Sequence, residues 1–138
     1  MVKIFLLALL SVFYSPMKFT ETTLTVEISN IKSAKGEIRI GVFKKGTKIT
    51  GKADFGQVLV ASGQATERAV FRVPAGRYAV AIYHDINNNK RLDNNFVGYP
   101  KEPFGFSNNF RPMISPPDFE DCAFDLKEGG TTVEVKLR

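Results

Sequence analysis

The stretch ERAVFRVPAGRYAVAIYHD, residues 67–85, decides the fold class. Ala69, Phe71 and Val73 alternate with Val70 and Arg72, the period of two that belongs to a half-buried strand. Pro74 then presets φ for a turn and Gly76 lets the chain leave it, so Val73-Pro74-Ala75-Gly76 reads as a hairpin connection. Beyond it, Tyr78, Val80 and Ile82 face one way while Ala79, Ala81 and Tyr83 face the other. Apolar groups on both faces mark a central strand covered on both sides, or one packed near a neighbouring loop.

The same period extends outward. Leu24, Val26 and Ile28 alternate with Thr25, Glu27 and Ser29, and Ile38, Ile40 and Val42 with Glu37, Arg39 and Gly41. The short link Asn30 to Gly36 suits a hairpin or a tight crossing. Lys44 to Gly56 has no such pattern and reads as a loop, with one helical turn near Ala53 to Phe55. Gln57 to Ala61 is a short strand ended by the turn signal Ser62-Gly63. Asp121 to Leu126 and Thr131 to Arg138 form the last two strands, joined by Lys127-Glu128-Gly129-Gly130. With no amphipathic helix, about seven short strands at this spacing predict an all-β, single-domain β-sandwich. It is expected to be mainly antiparallel, immunoglobulin-like or transthyretin-like, with one long ordered loop excursion.

Length and composition agree. A chain of 138 residues fits one domain, and 43% apolar with 24% charged residues excludes disorder. The net charge is +5. The basic residues are scattered, with no run longer than two, which marks no nucleic-acid footprint. A monomer is expected. Cys122 is the only cysteine, so no intrachain disulfide forms, and its place beside Phe124 and Leu126 predicts a small buried hydrophobe.

Met1 to Ser15 reads as an export signal. Lys3 supplies the positive start, and Ile4 to Tyr14 is apolar apart from Ser11. That run is too short to cross a bilayer, which takes about 20 residues, and matches the apolar region of a secretory signal. No A-x-A pattern follows, and Pro16 obstructs cutting directly after Ser15. Cleavage between Ser15 and Thr22 is expected, with a retained anchor as the alternative. Residues 1–20 are therefore assigned to a signal peptide and 21–138 to the sandwich domain. The protein is expected outside the cytoplasm, periplasmic or secreted, with no stable membrane span.

From His84 to Glu120 the strand period stops. Phe96, Tyr99, Phe104, Phe106, Phe110 and Phe119 fill this segment, and Pro100, Pro103, Pro112, Pro116 and Pro117 stiffen it. An ordered excursion is predicted, of the kind that is often functional. It opens on Asp85-Ile86-Asn87-Asn88-Asn89-Lys90-Arg91-Leu92-Asp93. Oxygen-bearing side chains at relative positions 1, 3, 5 and 9 copy the first part of a calcium loop. Asp85, Asn87, Asn89, Asp93 and the carbonyl of Arg91 form the candidate calcium site. Two departures count against it: position 6, where Gly makes the sharp turn, is Lys90, and position 12, usually a bidentate Glu, is Phe96. Glu102, Asp118, Glu120 or Asp121 would have to close the shell. The alternative is an Asx-rich turn whose amides bond the backbone.

His84 is the only histidine, so a Ser-His-Asp arrangement would have to use it. Ser107 and Ser115 lie within the excursion, but neither sits in a nucleophile-elbow motif. Asp118, Glu120 and Asp121 are acids in one short run, more in keeping with a solvated turn than a catalytic pair. The protein is read as a non-enzyme. A small hydrolase using His84 with Asp85, Ser107 or the acidic loop is the alternative.

Together these motifs resemble one family. Val73-Pro74-Ala75-Gly76-Arg77-Tyr78-Ala79-Val80, His84-Asp85, Asn87-x-Asn89-x-x-Leu92-Asp93, Gly98-x-Pro100-Lys101-Glu102, Gly105-Phe106-Ser107-Asn108-Asn109 and Pro116-Pro117-x-Phe119-Glu120-Asp121 resemble the bacterial exported proteins catalogued as domain of unknown function 2141. The likeness runs from Thr22 to Arg138. It implies a periplasmic or secreted β-sandwich and brings no catalytic role. Members of that family tend to carry Gly where this chain has Lys90.

The resulting expectation is an extracytoplasmic interaction module with a calcium-stabilised loop. Its ligand or partner surface would be His84, Tyr99, Phe104, Phe106, Ser107, Asn108, Asn109, Glu120 and Asp121, facing a protein or a glycan. The alternative is a structural domain in which the excursion caps the sandwich and its rings are core.

Overall fold

The computed structural model describes residues 14–138. The expected export segment, Met1 to Ser15, falls almost wholly outside the described residues. Among the described residues eight strands form two sheets: β1 (Glu21–Ser29), β2 (Glu37–Lys44), β3 (Phe55–Val60), β4 (Glu67–Pro74), β5 (Gly76–Asp85), β6 (Phe104–Phe106), β7 (Phe124–Leu126) and β8 (Thr131–Lys136). One sheet has the order β4-β1-β8, and the other has the order β3-β2-β5 with β6 and β7 both paired to β5. Pairing is antiparallel except between β1 and β8, where Val26 stands beside Val133 in parallel register. The all-β sandwich expected from the period of two is the observed architecture.

Between the sheets lies a core drawn from both. Leu24, Val26 and Ile28 of β1, Ile38, Ile40 and Val42 of β2, Tyr78, Val80 and Ile82 of β5, and Val135 of β8 are buried in one cluster. The alternating residues of β1 and β2 that the sequence turns inward are the buried ones. A second cluster covers the outer face of the larger sheet: Phe43, Ile49, Ala79 and Cys122, flanked by Ala53, Ala81, Phe106, Phe110 and Phe119. This explains the apolar residues on both faces of β5. Among the described residues no helix is long and apolar enough to cross a membrane.

Three local expectations are corrected. Val73 to Gly76 is not a hairpin, because β4 pairs β1 in one sheet while β5 pairs β2 in the other. The turn instead carries the chain across the sandwich, and the Tyr78 hydroxyl donates to the Pro74 carbonyl at 2.7 Å to hold the corner. Turn chemistry is the same for both outcomes; the partner strands decide. The run Asp121 to Leu126 is not one strand. It holds the end of a helical turn, α1 (Phe119–Cys122), followed by β7. Asp121 Oδ2 accepts the Asp118 N–H at 2.9 Å and so favours the turn at that point. Near Ala53 no helical turn forms. Asp54 Oδ2 accepts the Lys44 N–H at 2.7 Å, and Phe55 starts β3.

The excursion contains one strand that periodicity misses, β6. It closes the side of the sandwich: Phe104 and Arg138 exchange backbone hydrogen bonds at 3.2 and 3.0 Å. Gly105 permits that approach, since a Cβ there would stand 2.7 Å from the Lys136 carbonyl oxygen. β6 and β7 lie along the same edge of β5, opposite Ala81–Tyr83 and Gly76–Tyr78 respectively. The part of the excursion after β6 is thus an interruption of one edge strand, and the chain returns at β7 to the edge it left.

Candidate functional site

At the end of β5 the opening loop of the excursion folds around its own side chains. The buried Asp85 carboxylate accepts the N–H groups of Asn89 at 3.1 Å and Lys90 at 2.8 Å, and the Arg39 Nε at 3.4 Å. Asn87 Oδ1 accepts from Asn89 N–H, and Asn89 Oδ1 from Arg91 N–H, two successive Asx turns. Both amide nitrogens donate to Asp93, at 2.6 Å from Asn87 and 2.7 Å from Asn89. Hydrogen bonds from Asn89 and then Asn87 hold the Asp93 carboxyl below the usual carboxylate range. Glu102, also buried, reaches back to accept Ile86 N–H at 3.0 Å and Asp93 N–H at 3.1 Å. Asp85, Asn87, Asn89 and Asp93 therefore do converge, and Glu102 clasps the loop at both ends. Lys90 sits in the left-handed region with φ 63°, the conformation that calcium loops assign to Gly at this position. Among the described residues no three His, Cys, Asp or Glu side chains gather as metal ligands.

His84 and Ser107 are both fully buried and serve other ends. His84 Nε2 bonds the Lys35 carbonyl at 2.7 Å, leaving Nδ1 buried without a partner. The Ser107 hydroxyl donates to the Cys122 carbonyl and accepts the Val80 N–H at 2.8 Å, tying the excursion to β5. The two share no hydrogen bond. Burial withdraws His84 and Ser107 from the expected contact surface, because each faces protein instead of solvent. Asn108 and Asn109 are exposed but act as staples: Asn108 Nδ2 donates to Ala123 O at 2.9 Å, and Asn109 Oδ1 accepts Lys136 N–H at 2.9 Å. Glu120 and Asp125 bind Arg77 at 2.8 and 3.1 Å, and Arg77 pulls the Glu120 carboxyl below its usual range. Burial in the second cluster pushes the Cys122 thiol up to about 12, so it is no nucleophile at neutral pH.

What the excursion does shape is a groove of about 720 Å³ on the outer face of the larger sheet. Gly41 and Ala81 are among the small residues that line it, with Phe43, Ile49 and Ala53 from the β2–β3 side. From the excursion come Leu92, Tyr99, Pro100, Phe104, Phe106, Met113, Ile114, Pro116 and Pro117. Tyr99 meets Phe104, and Phe104 meets Phe106, edge to face at 5.8 and 5.9 Å. Tyr99 is 50% exposed, Met113 90% and Ile114 100%. Of the residues singled out from sequence, Tyr99, Phe104 and Phe106 line this groove. Met113, Ile114, Ile49 and Arg39 were not singled out. An apolar Met-Ile pair inside a proline-stiffened exposed segment was the signal for two of them.

No curated protein and no solved structure is significantly similar to the chain. One family model matches, over residues 26–134, which takes in most of the sandwich and the whole excursion. The chain belongs to that bacterial family, described as an uncharacterized protein conserved in bacteria (DUF2141).

Proposed function

We propose that this protein is a non-catalytic, extracytoplasmic binding module that holds its ligand in the groove on the outer face of the larger sheet. The observation that carries this reading is the groove itself. It has the volume of a ligand site and an apolar lining, with exposed Met113 and Ile114 at its rim. A glycan would need exposed rings to stack on, and of the rings in the groove only Tyr99 is exposed. An apolar ligand fits better. The extracytoplasmic part rests on the signal-like Met1 to Ser15. The absence of a catalytic role rests on the separate hydrogen bonding of His84 and Ser107.

The test uses an environment-sensitive naphthylamine dye and the double variant Met113→Asp with Ile114→Asp. Both residues are exposed, so the melting temperature should hold while dye binding falls about ten-fold or more. Undiminished dye binding by a folded variant rules the groove out. For location, the full chain made in a bacterial host should appear in the periplasm or medium with a mass reduced by the signal.

The opening loop supports a second reading as a weak calcium site. Lys90 accepts a left-handed backbone that Gly would adopt without strain, and each bonded oxygen of Asp85, Asn87 and Asn89 keeps a further lone pair. Millimolar calcium should then raise the melting temperature, and Asp93→Asn should abolish the rise. A melting curve indifferent to both calcium and chelator discards this reading.

A further inference from the structure

We infer that the ligand of this groove is an anionic amphiphile, a long-chain alkyl carboxylate, whose chain lies over the larger sheet and whose head group sits in an adjoining cationic pocket. The inference rests on the groove reading above and adds the chemistry of the ligand. A second cavity of about 550 Å³ shares Tyr99, Phe104, Phe106, Pro112 and Met113 with the groove, so the two adjoin. Lys32, Arg111, Lys136 and Arg138 line this second cavity, and no Asp or Glu does. Among the described residues Lys32, Arg111 and Lys136 form no ion pair, unlike Arg39, Arg68 and Arg77. These cations come from three separate parts of the chain: the β1–β2 link, the excursion and the end of β8. An excess of positive charge around an open cavity draws in a counter-charge.

The apolar half excludes most other occupants. Residues of β2 and β5 on the floor have their backbone groups paired within the sheet, and prolines on the wall have no N–H to offer. A peptide laid across that face would find only a few polar side chains, Arg39, Thr50, Gln57, Asn94 and Ser115, and most of its N–H and C=O groups would lack partners, at a cost in free energy. A hydrocarbon chain has no such groups. Its head group meets exposed, singly charged side chains, which select for charge and demand no particular geometry, so a carboxylate suffices.

The experiment is a calorimetric titration of the full chain with dodecanoate below its micelle concentration, with 1-dodecanol and shorter carboxylates as companions. Dodecanoate should bind, and each methylene removed should weaken binding about four-fold. The double variant Arg111→Glu with Lys136→Glu should weaken dodecanoate about ten-fold and leave dodecanol unchanged. Equal dodecanoate affinity for that folded variant and the wild type overturns the head-group assignment. If the wild type binds the naphthylamine dye but neither alkyl compound, the ligand class is wrong while the groove reading survives. A wild-type dimer that Met113→Asp with Ile114→Asp converts to monomer also overturns it, since the groove is then filled by a second copy. Loss of dye binding to the wild type is the separate result that removes the groove reading itself.

Discussion

Lys90 holds a left-handed backbone that an L side chain occupies at a cost of about 1 kcal/mol. Lys90→Gly should therefore raise stability by up to about 1 kcal/mol, read as a rise of a few degrees in the melting temperature. A lower melting temperature would show that the lysine side chain contributes something its backbone geometry does not reveal. Ser107 gives the opposite case. Its hydroxyl serves the Val80 N–H and the Cys122 carbonyl in a fully buried setting, so Ser107→Ala should cost about 1–3 kcal/mol by urea unfolding. At this scale the sequence was most legible where partners are near neighbours. The alternating oxygens from Asp85 to Asp93 lie within one turn, and their convergence follows from spacing alone. The partner of His84 is the carbonyl of Lys35 and that of Ser107 is the carbonyl of Cys122; neither pairing has a local signal.

Among elements, the longer strands were legible because a half-buried strand writes its two faces into alternate residues. β6 was not, since three residues between Pro103 and Ser107 are too few to show a period. Cys122, Phe124 and Leu126 share a period of two by coincidence, the first ending α1 and the others in β7. The opening loop and α1 have their own response to acid. The Asp93 and Glu120 carboxyls are both held below their ordinary values, by the Asn89 and Asn87 amides and by Arg77 respectively. Depressed carboxylates add stability that is present above the unfolded value of about 4 and is lost as pH falls through the lower folded values. Lowering the pH from about 5 to about 2 should thus expose residues 86–101 and 118–123 to faster amide exchange. Exchange in the central strands β1 and β2 should change less over the same range. Uniform acceleration across all strands would contradict a local effect.

For the whole molecule, pairing is dominated by distant partners: Leu24 of β1 stands beside Thr131 of β8. Closing so large a loop before parallel pairing is rewarded makes folding slow. Stopped-flow refolding should have a main phase in the range of about a millisecond to seconds, and a microsecond phase would be inconsistent with this topology. The same distance explains why the division into sheets could not be read from the chain. Val73 to Gly76 announces a reversal, yet whether β5 pairs β4 or stands across from it depends on β1 and β2. The cations of the second cavity were likewise scattered in sequence and meet only in space. A further consequence follows from the interrupted edge strand. β6 ends opposite Ala81 and β7 begins opposite Tyr78, so the segment between them leaves and rejoins one scaffold strand within about 10 Å. A linker of almost any length can bridge so small a gap without disturbing the registers on either side. Residues 111–116, between the Asn108 and Asn109 staples and the packed turn at Phe119, are in effect an interchangeable cassette, through which mutation can rewrite ligand preference while the sandwich is inherited unchanged.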